Sequence, residues 1–573
     1  MTTTHAPLLP ILAILTLVAG MPSQSWLPAS PLPNWNAPTS VTTLAYDPAR
    51  SPTQNGADLH VALGALQPGD GLAIGPGTWS VPFRLDLSIQ ATASQPVWVF
   101  ASDPNDRPVI TRPDNQQNCL NVGSLGVSRF LVLRDLEFTG GSDLIRIYDG
   151  SSTWIDGCYL HDGDGVGIAV QTQSCTHLYV TRNEIARPGP GNGEAIYLGG
   201  NFGSLQVTDS VVAFNHVHDT RMAVPGQGDG IELKQGSTRN WIAWNHVHDC
   251  KNPCILVYGT GGVDENVVEG NLCYDSDDVV LQVQGEAIVR NNVAIGGSRA
   301  FTSFDHQGIS QHLQLLHNTF VNVGRACELS RWGGRPGMVF ANNACYSTSA
   351  DSLYYGIGDQ GVLAAGNVLF GPSNQTGTGY RSGAGLSDFV AVDPATFLTD
   401  ARPRRGGALD NVGDPEFALP LDLTLTARRL PVDPGARRSL PTLLADVATI
   451  PAATGGVQTL QLALGAGYAN QTHVLAASTS GTMPLGTPAL LEFAGFHLPL
   501  VPDWLFVQAI TGQAPNALPG GIGTLDAQGR TTARVVVPAL GPAAAGLTIT
   551  ACMASMQGGV VTHVSNTVTL TLQ

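Results

Sequence analysis

An asparagine recurs through the middle of this 573-residue chain, each time in a short segment flanked by apolar residues. Successive members lie 21 to 32 residues apart, and the segments are rich in β-branched residues, alternate with period two and are separated by Gly and Asp. That pattern is typical of strands and turns rather than helices. A repeat of this length predicts a parallel β-helix with one coil per repeat. The recurring residues are Asn183, Asn215, Asn245, Asn271, Asn292, Asn318, Asn343 and Asn367.

A second column of short strands follows these asparagines and sets the register of the coils. In each six-residue strand the third and fifth positions are mostly aliphatic and are expected to face inward, because side chains alternate along a strand. The fourth and sixth positions are then expected to face outward. The outward pairs are Ala169/Gln171, Tyr197/Gly199, Glu232/Lys234, Leu256/Tyr258, Leu281/Val283, Thr302/Phe304 and Glu328/Ser330.

The asparagines and cysteines are interpreted as structural. Inward asparagines can satisfy buried turn backbone and each other's amides. Nine cysteines leave at least one thiol unpaired in a monomer. Cys273 and Cys345 are expected to be buried thiols, too many coils apart for a disulfide. Whether Cys250 pairs with Cys254, or Cys158 with Cys175, stays open.

The domain plan has four parts. Residues 1–25 contain the apolar run LLPILAILTLVA, of signal-peptide length, which predicts a secreted protein. Residues 26–54 are an N-terminal extension, and residues 55–450 form the β-helix. Residues 451–573 show short alternating runs between Gly/Pro turns, which predicts a small all-β, sandwich-like domain. No membrane attachment is expected after signal removal.

Charge excludes one class of partner. The formal net charge is -16 and only two lysines occur, Lys234 and Lys251. Nucleic-acid binding needs clustered Lys and Arg, so no nucleic-acid partner is expected. The prediction is a monomer that acts on or binds an extracellular polysaccharide.

The repeat resembles the right-handed parallel β-helix proteins of the pectate lyase-like superfamily. The segments LQPGDGLAIGPGTWS (66–80) and PVWVFASDPNDRPVI (96–110) are similar to the N-terminal region of the chondroitinase B and alginate lyase group. DGIELKQGS (229–237) is similar to a stretch found in secreted members of the superfamily. The resemblance implies a polysaccharide lyase, in which a Lys or Arg removes the C5 proton of a uronate and calcium or Arg neutralises its carboxylate.

The longest intervals between asparagines surround residues 186–234 and mark the expected site. By that resemblance Lys234 is the candidate base, with Glu232 beside it and Arg221 as the group that neutralises the substrate carboxylate. Glu194 and Asp229 are candidate calcium ligands. Glu194 is also a candidate substrate-binding residue, together with the tyrosines that suit stacking on sugar rings, Tyr197 and Tyr258.

The predicted strand register also indicates which of the candidate site residues are neighbours on adjacent coils. Glu232 is expected one coil from Tyr197, and Lys234 one coil from Tyr258. Glu194 and Asp229 are expected to stack in the same way, with Asp278 two coils further on.

A rival site is formed by the repeated NHVHD segments. His216 is expected to stack on His246, and His218 on His248, with Asp219 and Asp249 alongside. This group suits a transition metal or a general base, or simply closes the turns of the coils.

Two further segments depart from known relatives. TWIDGCYL (153–160) is similar to a pectate lyase segment but has Gly157 where that family has His. SDDVVLQ (276–282) is similar to the Asp-Asp motif of polygalacturonases, without that family's other motifs. Lyase-like β-elimination on a uronate-containing glycan is therefore the first hypothesis. A non-catalytic carbohydrate-binding or adhesion solenoid is the alternative, and a hydrolase using the paired carboxylates also stays open.

Overall fold

The computed structural model describes residues 25–223, 225–428, 430–439, 442–482, 492, 493 and 496–573. The predicted signal peptide lies outside these ranges except for Ser25. Within them, no helix is both long and apolar enough to cross a membrane.

Three long parallel sheets form the body of the described chain, and together they build a parallel β-helix, as predicted. Sheet 1 has thirteen strands, described in chain order as Ser40–Leu44, Asp70–Ile74, Val97–Ala101, Leu131–Arg134, Thr153–Asp156, Tyr179–Thr181, Val211–Ala213, Trp241–Ala243, Asn266–Glu269, Ala287–Arg290, Leu313–Leu316, Val339–Ala341 and Leu363–Ala365. Each strand pairs with the equivalent strand of the next coil.

The other two sheets follow sheet 1 around each coil. Sheet 2 has thirteen described strands: Gly77–Ser80, Pro108–Arg112, Glu137–Gly140, Tyr159–His161, Glu184–Ala186, His216–His218, His246–Cys250, Leu272–Ser276, Val293–Ile295, Thr319–Asn322, Ala344–Ser347, Asn367–Phe370 and Tyr380–Ser382. Sheet 3 has eleven: Leu85–Leu87, Leu120–Val122, Ile145–Ile147, Ile168–Val170, Ile196–Leu198, Ile231–Leu233, Ile255–Val257, Val279–Val283, Arg299–Ser303, Arg325–Leu329 and Leu353–Tyr355.

The interior of the stack is a continuous apolar core. Inward residues of successive coils lie on one another, as Ile168, Ile196, Ile231 and Ile255 do in sheet 3. All four are fully buried. Because inward positions are packed in this way, polar chemistry is confined to outward positions and loops.

The asparagine column is structural, as predicted. Asn245, for example, donates from its backbone and side-chain nitrogens to Asn271 Oδ1 at 3.0 Å, and its Nδ2 also donates to Val212 O at 2.9 Å. The same pattern runs without a break from Asn183 to Asn367. Each asparagine therefore ties its turn to the coils on either side.

The described thiols are all free and buried. Cys273 and Cys345 are unpaired, as predicted. The two pairings left open at the sequence level, Cys250 with Cys254 and Cys158 with Cys175, are not formed in this structure.

The N-terminal end of the stack begins earlier than the predicted boundary at residue 55. Strand Ser40–Leu44 already pairs with Asp70–Ile74 in sheet 1. Helix Pro52–Gly64 follows, started by a capping box between Ser51 and Gln54, and it buries Leu59 and Leu63 against the first coil. The helix covers an end of the stack that would otherwise expose core side chains and unpaired strand edges.

The other end of the stack also differs from the predicted boundary. The last strand of the long sheets is Tyr380–Ser382. An antiparallel hairpin, Phe389–Asp393 with Leu398–Pro403, then follows. Together with residues up to 436, this hairpin covers the outer face of sheet 2 through an apolar cluster that includes Val293, Phe389 and Ala401.

The C-terminal region is a β-sandwich-like unit, as predicted. A three-stranded sheet, Leu443–Ala445, Gly456–Ala463 and Arg530–Val537, faces a six-stranded sheet in the described residues. Side chains of both sheets share one core. Helix Trp504–Ile510 packs on the same unit. The strands of the larger sheet are Thr449–Ile450, Thr472–Ser478, Ile522–Thr524, Thr548–Gln557, Val560–Val564 and Val568–Leu572.

Candidate functional site

A polar cleft of about 560 Å³ runs over the outer face of sheet 3. It reaches from the coil of Gln171 to the coil of Phe304. Those six coils span about 24 Å at the usual strand spacing. The residues that carry its chemistry are Gln171, Glu194, Tyr197, Asp229, Glu232, Lys234, Tyr258, Asp278, Gln282, Phe304, His306 and Gln307.

Lys234 lies at the centre of this cleft. The residue is only 5% exposed, and its Nζ donates a hydrogen bond to Glu232 Oε1. The same nitrogen lies 4.6 Å from the ring centroid of Tyr197 and 5.1 Å from that of Tyr258. The ammonium group is thus held between two aromatic rings and one carboxylate, out of bulk water.

Strand register explains this grouping and confirms the neighbours expected from the sequence. Tyr197 pairs with Glu232 on the next coil. Glu232 pairs in turn with Leu256, which sets Lys234 beside Tyr258. Ile231 and Leu233 alternate with the polar residues and point into the core.

Three buried carboxylates lie beside the lysine. Glu194, Asp229 and Glu232 are each 2% exposed, and each offers an oxygen within 4.8 Å of the others. Glu194 and Asp229 precede adjacent strands, so they stack as expected, and the Ala195 amide donates to Asp229 O at 2.9 Å. One oxygen of each side chain, Glu194 Oε2, Asp229 Oδ1 and Glu232 Oε2, has no hydrogen-bond partner among the described residues.

This crowding shifts the acidity of all three groups. Burial, with the negative charge of Glu232, raises the pKa of Glu194 to about 7. Burial and the negative charges of Glu232 and Glu194 raise the pKa of Asp229 well above its usual value. Burial also raises the pKa of Glu232, although Lys234 opposes that effect. Protonation of one or more of the three carboxyl groups relieves this crowding, and so does a nearby positive charge.

Arg221 is not brought to this site. Its Nη2 donates to Asp162 Oδ1 at 3.0 Å, and Arg221 does not line the cleft. Arg187 is hydrogen-bonded to the same carboxylate and holds its pKa below the usual range, so Arg221 contacts an ionised Asp162. The expectation that Arg221 faces a substrate carboxylate is therefore not met in this structure.

The sequence placed one strand of the cleft in the wrong register. Leu281 and Val283, expected to face outward, are fully buried in the core. The strand is Val279–Val283, and Ile255 pairs with Leu281, so the segment begins one residue later than assumed. Gln282 consequently lines the cleft. Asp278 also lines it, but the position two coils from Asp229 belongs to Val279.

Other cleft residues come from a loop that sequence patterns did not single out. His306 and Gln307 follow the strand Arg299–Ser303, and the Gln307 side chain accepts a hydrogen bond from the Phe202 amide at 3.3 Å. Gly259 approaches Gly308 so closely that an added Cβ would lie 2.9 Å from the Gly308 Cα. The loop thus reaches back over earlier coils. In the sequence, its length between two strands is the feature that could have indicated its role.

The two segments that resemble other families contribute one acidic residue to the cleft, and their other acidic residues form ion pairs elsewhere. Asp156 of TWIDGCYL is buried and forms ion pairs with Arg134 and Arg182. Asp277 forms an ion pair with Lys251 on the surface. Neither lines the cleft, and of this group only Asp278 does so.

Comparison with known proteins agrees with the architecture. Residues 114–271 match the family described as right handed beta helix region. The chain contains a right-handed β-helix region. This region includes the strands that carry Tyr197 and Glu232, and Lys234 directly after the second of them, so the cleft is built largely on it. No curated protein matches the chain at a significant level.

Several solved structures of polysaccharide lyases are similar to this chain at low sequence identity and low TM-score. The pectate lyase Pel9A matches at 16% identity and a TM-score of 0.43, covering 70% of this chain and 97% of that one. An alginate lyase from Paenibacillus sp. matches at 16% and 0.37, covering 57% and 100%. A mannuronic acid specific family 6 lyase from human gut microbiota matches at 14% and 0.39, covering 60% and 91%.

Proposed function

We propose that this protein cleaves a uronate-containing polysaccharide by lyase-like β-elimination, with Lys234 as the base. The observation that carries the proposal is the position of Lys234, buried between two tyrosine rings and next to three carboxylates in the cleft. Export of the enzyme is part of the proposal and rests on the apolar run at residues 8–19.

The shape and lining of the cleft support a sugar chain as ligand. Its length of about 24 Å accommodates several sugar units across the coils. Tyr197 and Phe304 are partly exposed and offer aromatic faces for the C–H surfaces of pyranose rings, and the amides of Gln171 and Gln282 suit hydroxyl groups. Tyr258 is only 4% exposed, and its ring packs against Lys234 rather than being open to a sugar.

The carboxylate cluster fits a divalent cation such as calcium. The three oxygens without partners on Glu194, Asp229 and Glu232 need either protons or a cation. An all-oxygen donor set is what calcium prefers, and Glu194 and Asp229 would hold it, which leaves Glu232 to Lys234. When bound, such a cation neutralises the uronate carboxylate and so acidifies the C5 proton.

The chain's own residues carry the proton transfer. Lys234 has to be a neutral amine before it can act as a base, and Glu232, whose pKa burial raises, is placed to take the proton it gives up. The amine then removes the C5 proton. The electrons of that bond form the C4=C5 double bond, the C4–O4 bond breaks, and O4 receives a proton from solvent.

The test is a screen of alginate, pectate and chondroitin, with calcium and with chelator, that records unsaturated products by ultraviolet absorbance and reducing ends together. Lys234→Met is expected to abolish unsaturated products, on the order of a thousand-fold or more in rate. Lys251→Met is the matched control, because Lys251 is the other lysine and forms an exposed ion pair with Asp277. Equal activity of the two variants would refute the assignment of Lys234.

Folding of the variants needs its own control. Replacing Lys234 alone leaves Glu232 buried without its cation partner, which is costly. The double variant Lys234→Met, Glu232→Gln removes both charges, and its circular dichroism spectrum is expected to match that of the wild type. A folded and inactive double variant separates lost chemistry from lost structure.

A glycoside hydrolase is the second candidate, and one observation favours it. The pKa of Glu194 is raised to about 7, which suits a general acid beside a second carboxylate. Reducing ends without unsaturated products, lost in Glu194→Gln and kept in Lys234→Met, would replace the lyase by this hydrolase. Binding of the same polymers without any cleavage would instead indicate a non-catalytic carbohydrate-binding solenoid.

A further inference from the structure

A second polar cluster lies on the outer face of sheet 2, a different face of the stack from the cleft. His216 pairs with His246 on the next coil, and His218 pairs with His248. Val217 and Val247, between them, point into the core, so all four imidazoles project outward. They are half-buried side chains on two adjacent strands.

The nitrogens of this cluster face one another. Nε2 of His216 lies 2.9 Å from Nε2 of His248. In this structure the two nitrogens share a hydrogen bond. Two nitrogens that each lie about 2.05 Å from a tetrahedral zinc ion are separated by about 3.3 Å, so the two rings have to move apart by only about 0.4 Å to share one ion. His216, His246 and His248 each offer a ring nitrogen within 4.8 Å of the other two.

The ring orientation is fixed from the other side. His248 Nδ1 is hydrogen-bonded to the carboxylate of Asp249, as His218 Nδ1 is to Asp219 at 2.8 Å. A carboxylate on Nδ1 holds the hydrogen there and leaves Nε2 with its lone pair, which is the usual arrangement behind metal-bound histidines. This contact is independent of the spacing between the rings and points to the same ligand atom.

The aromatic surroundings keep the cluster in place. Tyr274 on the next coil stacks on His248, with ring centroids 4.9 Å apart and planes at 1°. Its hydroxyl lies 3.1 Å from His246 Nε2.

We propose that His216, His246 and His248 form a binding site for a divalent transition-metal ion that clips two coils of the β-helix together. Imidazole ligands select zinc, copper or nickel over calcium, whereas the all-oxygen cleft cluster has the opposite preference. The two sites therefore differ in both position and metal. A ligand set drawn from adjacent coils makes the ion a link between strands His216–His218 and His246–Cys250.

The test is a zinc titration of the full chain, produced without a histidine tag, stripped of metal and kept in saturating calcium. Calorimetry is expected to give one zinc ion per chain, and the thermal midpoint of unfolding is expected to rise with zinc. Cobalt in place of zinc is expected to give a visible absorption band from nitrogen ligation. Absence of both the binding heat and the cobalt band in the wild type would overturn the proposal without any variant.

Variants locate the site. His248→Gln is expected to weaken zinc binding by at least about 100-fold, and Asp249→Asn by about 10- to 100-fold, since the second change only frees the ring orientation. His161→Gln is the matched control: it lies on the same sheet but is hydrogen-bonded to Glu137 and Asp162 and is not part of the cluster. Glu194→Gln is expected to leave zinc binding unchanged. Zinc affinity that is unaltered in His248→Gln would refute the assignment.

Discussion

At the scale of single residues, the cleft holds an electrostatic conflict. Three carboxylates are buried side by side there, those of Glu194, Asp229 and Glu232. Lys234 forms an ion pair with Glu232. Three ionised carboxylates in such a place are strongly unfavourable, since burial removes water and each charge repels the other two. The raised pKa values follow from this crowding. This arrangement therefore suits the binding of a cation or of protons, and it lowers the stability of the folded chain when neither is bound.

The first residue-scale prediction concerns the pH dependence of stability. With a pKa of about 7 in the folded chain and about 4.5 when unfolded, Glu194 is protonated only in the folded state across that window. The unfolded state binds fewer protons there, so the free energy of unfolding in chelator falls as pH rises from about 4.5 to 7. The contribution of this residue is up to about 3 kcal/mol.

Glu194→Gln removes that contribution. In chelator, the variant is expected to be more stable than the wild type at pH 8 and close to it at pH 4.5, as measured by urea unfolding at both pH values. Glu416→Gln, at an exposed position, is the control and is expected to show no such difference. A wild-type and Glu194→Gln pair with the same pH profile would contradict a raised pKa at this position.

At the scale of elements, the asparagine ladder keeps coils of different length in register. Neighbouring asparagines are 32 residues apart between Asn183 and Asn215 but only 21 apart between Asn271 and Asn292. The hydrogen bonds are nevertheless 2.9 to 3.0 Å long in both cases. Extra residues are accommodated in loops away from the ladder, and those loops provide walls of the cleft.

Removing one rung of the ladder is expected to be costly. In Asn271→Ala, the Asn245 amide and the Ile242 carbonyl lose their partners in a fully buried turn. The expected loss is about 3 kcal/mol in the free energy of unfolding. Asn105→Ala, in an exposed turn, is the control. The check is the urea midpoint of both variants, and equal midpoints would contradict a structural ladder.

At the scale of the whole molecule, the C-terminal unit contacts the rest of the chain through residues that do not line the cleft. The Tyr468 hydroxyl donates to Gly406 O at 3.0 Å, and His563 Nδ1 lies 3.5 Å from Asp410. These contacts involve the segment that follows the last coil, and none of these residues lines the cleft.

The whole-molecule prediction follows from that separation. A chain that ends at Ser439 is expected to keep its kcat/KM on a soluble polymer within about two-fold, because every cleft residue is retained. Its thermal midpoint is expected to be lower, because Asp410 loses its contact with His563 and Gly406 loses its contact with Tyr468. Loss of activity in a truncated chain whose circular dichroism is unchanged would assign the C-terminal unit to the site.

The sequence by itself determined the coil repeat, the structural role of the asparagines and the stacking of Tyr197 on Glu232. These depend on period and spacing, which successive parallel strands convert directly into neighbours. The shift of Val279–Val283 by one residue shows the limit of this reasoning, because an unbroken apolar segment carries no signal for which residue starts the strand. The positions and contacts of the loops were decided only by the tertiary structure.

Long-range contacts account for those decisions. The engagement of Arg221 by Asp162 and the return of the loop at His306 over earlier coils depend on side chains that are far apart in sequence. The same is true of the carboxylate cluster, in which Glu194 comes from one coil and Asp229 and Glu232 from the next. One oxygen of each side chain has no hydrogen-bond partner among the described residues. Periodicity places residues on a face of the stack, but which polar groups meet there is decided by packing between coils.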